Sequence, residues 1–153
     1  MKLGTKGRYA VMAMADLANQ AGSDPVPLAG IAARQEIPVA YLEQLFAKLS
    51  RCQLVKSHRG PGGGVSLGKR PADITIAAIV AAVGEEVRAT RCNGEADHGC
   101  RGDKTRCATH DLWADLGEHI HSYLSSITLY DVVQGRLSAG ACVKVAEIAE
   151  AVA

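Results

Sequence analysis

Apolar residues recur at helical spacing from the start of the chain. Ala10, Ala13, Met14, Leu17 and Ala18 follow one another by threes and fours, with Asp16, Asn19 and Gln20 elsewhere on the wheel. The pattern predicts a first helix over 5–20 with Thr5 as its N-cap. Residues 21–25 (Ala-Gly-Ser-Asp-Pro) form a loop, and Pro27 suits the first turn of a short helix over 28–35. A third helix is predicted from Pro38 to Arg51. Its inner face is Leu42, Leu45, Phe46 and Leu49, and its outer face is Tyr41, Gln44, Lys48 and Arg51. Cys52 follows the inward row and is expected in the core.

Beyond this helix the period changes. Leu54 to His58 and Val65 to Leu67 are short extended runs flanking Arg59-Gly60-Pro61-Gly62-Gly63-Gly64, which reads as a hairpin. Thr75 to Val83 is a short, nearly all-apolar helix suited to a core. A polar segment follows, and then a long helix from about Ala108 to Ser126. Along it Trp113, Leu116, Ile120, Tyr123, Leu124 and Ile127 make a stripe that fits self-association, the alternative being that it packs on its own domain. Residues 127–133 suggest a closing helix, and 135–153 an Ala-rich, flexible tail.

The expected fold is mainly α with a small β-hairpin wing. A winged helix-turn-helix domain spans 1–84 and a cysteine-bearing loop 85–107. A dimerisation helix and closing helix occupy 108–134, and a tail 135–153. A chain of 153 residues, 48% apolar, can build one such domain, but with 4% aromatics its core must be aliphatic. The longest apolar run, Ile76 to Val83, is too short to span a bilayer, and the N-terminus has no leader pattern. A cytoplasmic protein with reduced thiols, and no membrane partner, is expected.

Charge sharpens the function. Residues 1–70 carry ten Lys and Arg against four Asp and Glu, whereas residues 71–153 carry seven against twelve. A basic first half points to a polyanion. In the hairpin Gly60, Gly62 and their neighbours let backbone approach a phosphate ribbon, and Lys56, His58, Arg59, Lys69 and Arg70 surround them. A nucleotide loop is the competing reading, but neither G-x-x-x-x-G-K-[ST] nor G-x-G-x-x-G opening a helix is present. Double-stranded DNA is the expected partner. Tyr41 and Gln44 are placed for the major groove, Gln44 suiting adenine. Glu43 can accept from cytosine N4 or reject other bases, and Arg59 suits a narrow minor groove. Lys48, Arg51, Lys56 and Lys69 are assigned to phosphates.

Three of the five cysteines lie in the polar segment, as Cys92, Cys100 and Cys107, with His110 following in a C-x7-C-x6-C-x2-H pattern. Cysteine is seldom idle on a polar loop. Three thiolates and an imidazole could hold tetrahedral zinc or an iron–sulfur cluster, and the absence of a tight C-x2-C pair favours the cluster. Cys107 and His110, at i and i+3 in the first turn of a helix, can point the same way. An imidazole ligand makes such a site less negative and displaceable by protons, so the cluster is more easily lost. His98 also lies in the segment and competes for the fourth position; His119 and His121 suit the surface or an interface. A zinc-stabilised constitutive DNA binder and an iron–sulfur electron carrier are the alternatives. No nucleophile motif or open metal site suggests an enzyme.

Several blocks together are specific. Leu3-Gly4-Thr5-Lys6-Gly7-Arg8-Tyr9-Ala10-Val11, Tyr41-Leu42-Glu43-Gln44-Leu45-Phe46, the Arg59–Gly64 wing, Ala89-Thr90-Arg91-Cys92 and Cys107-Ala108-Thr109-His110-Asp111-Leu112-Trp113 occur in order. Over about residues 1–134 the chain resembles the IscR, NsrR and RirA family of winged-helix iron–sulfur regulators. The resemblance implies a homodimeric transcription factor controlling cluster-assembly genes. It also implies one 2Fe-2S cluster per subunit, held by Cys92, Cys100, Cys107 and His110, with cluster-assembly machinery as donor. Ala40 stands where the family commonly has a hydroxyl residue, so operator preference is expected to differ. Because the cysteine loop precedes the dimer helix, cluster binding is expected to set the spacing of the two readers.

Overall fold

The structure is a computed structural model that describes residues 4–20, 22, 24–85, 100–101 and 105–137. Helices α1 (Thr5–Asn19), α2 (Leu28–Gln35) and α3 (Val39–Arg51) lead into strands β1 (Val55–His58) and β2 (Gly64–Leu67). A 3-10 turn at Pro71–Asp73 precedes α4 (Ile76–Ala82), then α5 (His110–Ser126) and α6 (Leu129–Val133). Three helices and a two-stranded antiparallel hairpin, in this order, are a winged helix-turn-helix.

One core unites them. Ala10, Ala13, Met14 and Leu17 of α1 meet Ile31 of α2, Leu42, Leu45, Phe46 and Leu49 of α3, and Ile76, Ile79 and Val83 around α4. Leu129 of α6 is fully buried in the same cluster. Truncating the chain's single Phe, Phe46, to Ala would cost about 3–5 kcal/mol from lost burial and the cavity left. The turn between α2 and α3 passes through Glu36 in the left-handed region (φ 54°), and Ile37 N–H bonds back to the Ala32 carbonyl. Pro38 cannot continue α2 and instead flanks the start of α3.

The wing is anchored to the rest of the domain through β2. β1 pairs with β2 from Val55↔Leu67 to His58↔Gly64, and Val26 and Val65 exchange both backbone bonds, at 2.8 and 2.9 Å. Gly60 (φ +97°) and Gly62 (φ +75°) take the positive dihedrals of the tip, which a β-branched residue could not hold without strain. At the other side of the core, Ile76 N–H bonds to the Ile127 carbonyl and Leu129 N–H to the Ile74 carbonyl. The α5–α6 junction is thereby docked on α4, and Thr128 with Asp131 forms a capping box for α6.

Several expectations change. Gly4, not Thr5, is the N-cap of α1, and Thr5 is its first helical residue. Helix α5 begins at His110 rather than near Ala108, after a turn in which His110 N–H bonds to the Cys107 carbonyl at 3.0 Å. Cys52 is exposed. Helix α3 ends at Arg51 and Gln53 turns left-handed (φ 59°), so the inward row stops before Cys52. Asp16 is buried, not solvent-facing. Arg34 Nη2 reaches Asp16 Oδ2 at 2.7 Å, Arg34 Nε reaches Oδ1 at 3.0 Å, and Gln35 Nε2 reaches Oδ1 at 3.1 Å. These bonds offset the desolvation of the carboxylate and staple α1 to α2. The Arg34 hydrogen bond holds the Asp16 carboxyl below its ordinary pKa, against the opposing effect of burial.

Candidate nucleic-acid interface and cysteine site

Helix α3 buries Leu42, Leu45, Phe46 and Leu49 and leaves Ala40, Glu43, Gln44 and Arg51 exposed. The buried stripe fixes the helix's rotation, and so fixes which side chains face outward. Tyr41 is half-buried. Its ring meets the Tyr9 ring of α1 edge-on, with centroids 5.9 Å apart and planes at 88°. Such a contact holds the phenol in place at the start of α3.

Lys48, expected at a phosphate, has a partner within the subunit. Its ammonium donates to the Val83 carbonyl at 3.0 Å, so this cation is engaged at the end of α4 rather than projecting toward a phosphate. The helix period alone places Lys48 in one row with Tyr41, Gln44 and Arg51, and nothing local in the sequence signals the Val83 contact.

On the wing Lys56, His58, Arg59, Gly60 and Gly62 are all exposed. His58 Nε2 lies 2.8 Å from Ser66 Oγ across the ladder. A groove of about 690 Å³ runs between the end of α3 and β1, lined among others by Ser50, Gln53, Lys56, His58 and Lys69. Its two lysines make it attractive to an anion. Arg70 is paired with Asp73 through bonds of 2.7 and 3.0 Å, and this partner holds the Asp73 carboxyl below its ordinary pKa.

Cys92 and His98 lie outside the described residues, whereas Cys100, Cys107 and His110 are placed and half-buried. Cys100 Sγ lies 3.1 Å from His110 Nδ1. Cys107 Sγ lies 3.6 Å from Thr109 Oγ1, and its carbonyl accepts from His110 N–H. Arg106 Nη1 and Asp111 Oδ1, at 3.6 Å, flank the same turn. Among the described residues no group of three metal-ligating side chains converges. The Cys100–His110 approach nonetheless brings a sulfur and an imidazole nitrogen together, and thiolate with imidazole is a donor set that zinc and iron centres accept. These residues fit an S,N-ligated group.

Helix α5 has no buried residue. Leu112, Trp113 and Tyr123 are 60%, 44% and 51% exposed, whereas Leu116, Ile120 and Leu124 are half-buried and Leu124 and Ile127 rest against the core. The first-named three are thus large apolar side chains left exposed on α5 among the described residues. His119 Nδ1 is 2.9 Å from the Asp115 carbonyl, an exposed backbone contact that raises its pKa. Nothing in the sequence singles out Glu85 within the polar segment, yet its carboxylate accepts from Gly4 N–H and Gly7 N–H at the start of α1. Gly84 marks the end of α4 in the sequence, but no spacing rule connects residue 85 to residue 4.

The profile of the Rrf2 family, described as "Iron-dependent Transcriptional regulator", matches residues 3–135. The HTH-type transcriptional regulator IscR of Vibrio atlanticus (strain LGP32) is 53% identical over 134 residues, covering 88% of this chain and 76% of that one. Among solved structures, T. potens IscR superposes with a TM-score of 0.71 at 37% identity, over 89% of this chain and 88% of that one. CymR, the global cysteine regulator of B. subtilis, gives 0.72 at 31% identity over 88% and 97%. All three are regulators, not enzymes, and no described helix is long and apolar enough to cross a membrane. The chain belongs to the Rrf2 family of iron-dependent transcriptional regulators and is a DNA-binding regulator.

Proposed function

We propose that this regulator is a cytoplasmic homodimer that holds a 2Fe-2S cluster in each subunit and reads cluster supply into operator choice. The observation that carries the reading is the 3.1 Å approach of Cys100 Sγ to His110 Nδ1, which pairs a thiol with the imidazole at the start of α5. Cys92, Cys100 and Cys107 are the proposed thiolate ligands and His110 the fourth, with cluster-assembly machinery as donor. When bound, the cluster supplies a redox-active, oxygen-labile group whose single imidazole ligand makes it easier to release.

The chain's own residues do the reading. Gln44 and Tyr41 address base edges in the major groove, and Glu43 filters them by accepting from cytosine or repelling other patterns. Arg59, carried on the Gly60 and Gly62 turn, enters the minor groove. Lys56, Lys69 and Arg51 meet phosphates. Lys48 leaves that group because Val83 holds its ammonium. The uncovered Leu112, Trp113 and Tyr123 face of α5, with Leu116, Ile120 and Leu124 beside it, is the proposed dimer seam. Two copies then present two reading heads to a roughly palindromic site.

The test is operator binding by anaerobically prepared protein, with and without its cluster. The reading expects at least one operator whose affinity differs about 5-fold or more between the two forms. Equal affinity for every operator would reduce the cluster to a structural part.

A further inference from the structure

The end of α4 carries a link between the cysteine segment and the reading helix that adjacency to α5 does not supply. Gly84 (φ +73°) closes α4. Its N–H bonds to the Ala81 carbonyl at 2.9 Å and Glu85 N–H to the Val80 carbonyl at 3.3 Å, the paired bonds of a left-handed helix end. The Val83–Glu85 backbone is therefore well defined, and two polar attachments use it. Lys48, in the last turn of α3, donates from Nζ to the Val83 carbonyl at 3.0 Å, where the end of a helix carries partial negative charge. Glu85 accepts from Gly4 N–H and Gly7 N–H, where the start of α1 carries partial positive charge.

Tyr41 lines a cleft of about 440 Å³ with Gly4, Lys6, Gly84 and Glu85, and packs edge-on against Tyr9 of α1. Helices α1 and α3 are thus both fastened to one three-residue turn, and in sequence the chain runs from that turn to Cys92 seven residues on. Lys48 is four residues from Gln44 and seven from Tyr41, on the same row of α3. A shift of Val83 acts on that row from the side, and a shift of Glu85 acts on α1, the surface Tyr41 leans on. Both attachments are polar contacts to helix ends, one hydrogen bond from Lys48 and two to Glu85. They can be exchanged without unpacking the Leu42–Leu49 face.

We propose that Lys48 and Glu85 are positioning residues that transmit the state of the cysteine site to the recognition helix. This rests on the cluster-sensing reading above. Neither residue is a base contact; they act by setting where Tyr41 and Gln44 stand relative to α1.

The test uses the full-length dimer and reads a ratio, the operator affinity of cluster-loaded protein over that of cluster-free protein. Lys48→Met keeps the aliphatic stem and removes the donor, Lys48→Arg retains a donor, and Glu85→Ala removes the acceptor. Iron and sulfide content and melting temperature are measured alongside. In Lys48→Met and Glu85→Ala the ratio falls toward one by about 5-fold, while Lys48→Arg stays near wild type and all three load iron and sulfide. Wild-type ratios in both Lys48→Met and Glu85→Ala would overturn the proposal and leave the sensing reading standing. A wild-type ratio of one for every operator would overturn the sensing reading itself. Hydrogen exchange on unsubstituted protein gives a separate arm. Cluster loading is expected to change protection at the Gly7 and Glu85 amides, and unchanged exchange at both would overturn the proposal whether or not the variants fold.

Discussion

Cys100 Sγ stands 3.1 Å from Nδ1 of His110, the first residue of α5. The contact joins a thiol from the polar segment to the helix that carries the uncovered Trp113 face, so the proposed ligand set and the proposed dimer seam share one element. In the proposed reading, a group bound there would bear on α5 through His110, its first residue. Lys48 and Glu85 provide the second route, toward α3.

The dimer seam predicts an association defect. Trp113→Asp places a charge where a large exposed aromatic is expected to be buried between subunits. It should weaken the dimer by about 2 kcal/mol or more, the scale of an aromatic anchor. Sedimentation across a concentration series checks it. An unchanged dissociation constant would mean that α5 is covered by something other than a second copy.

For the DNA interface, base and phosphate contacts separate by salt. Gln44→Ala should lose about 1–3 kcal/mol on the preferred operator and little on others. Lys56→Ala should weaken all sequences alike and lower the slope of log affinity against log salt by about one. Arg59→Ala should lose most on sites with a narrow A·T minor groove. Quantitative binding at several salt concentrations distinguishes the three.

Acid stability should depend on Asp16. Its folded-state pKa is lowered, chiefly by the Arg34 hydrogen bond, so the stabilisation is fully present above the unfolded value of about 4 and is lost as pH falls through the folded value. Asp16→Asn should lower stability at neutral pH and flatten its dependence on pH below about 4. Urea unfolding at stepped pH measures this, and parallel curves for the two proteins would contradict it.

The helices and wing were legible because their signals are local. Leu42, Leu45, Phe46 and Leu49 announce a buried face by period alone, and Gly60 and Gly62 announce a tight turn by their backbone freedom. Asp16 was misread because a wheel sorts residues by polarity. It sits three residues after Ala13, within the apolar stripe, and only the arrival of Arg34 and Gln35 from α2 makes its burial affordable. Cys52 was misread because the row was extended past the point where Gln53 leaves the helix. Lys48 and Glu85 depend on partners 35 and 81 residues away, and no period encodes such pairs. In the cysteine segment the thiols and the imidazole are visible in the sequence as residue types, and the Cys100–His110 approach is not, since it spans a polar segment without periodicity.

The most direct measurement is iron, sulfide and zinc analysis with visible absorption on anaerobically purified wild type and His110→Ala. The account predicts about two irons and two sulfides per chain, the content of a 2Fe-2S centre, and a changed spectrum with a more labile cluster in the variant. Stoichiometric zinc without sulfide would contradict it and leave a DNA-binding protein with a structural metal.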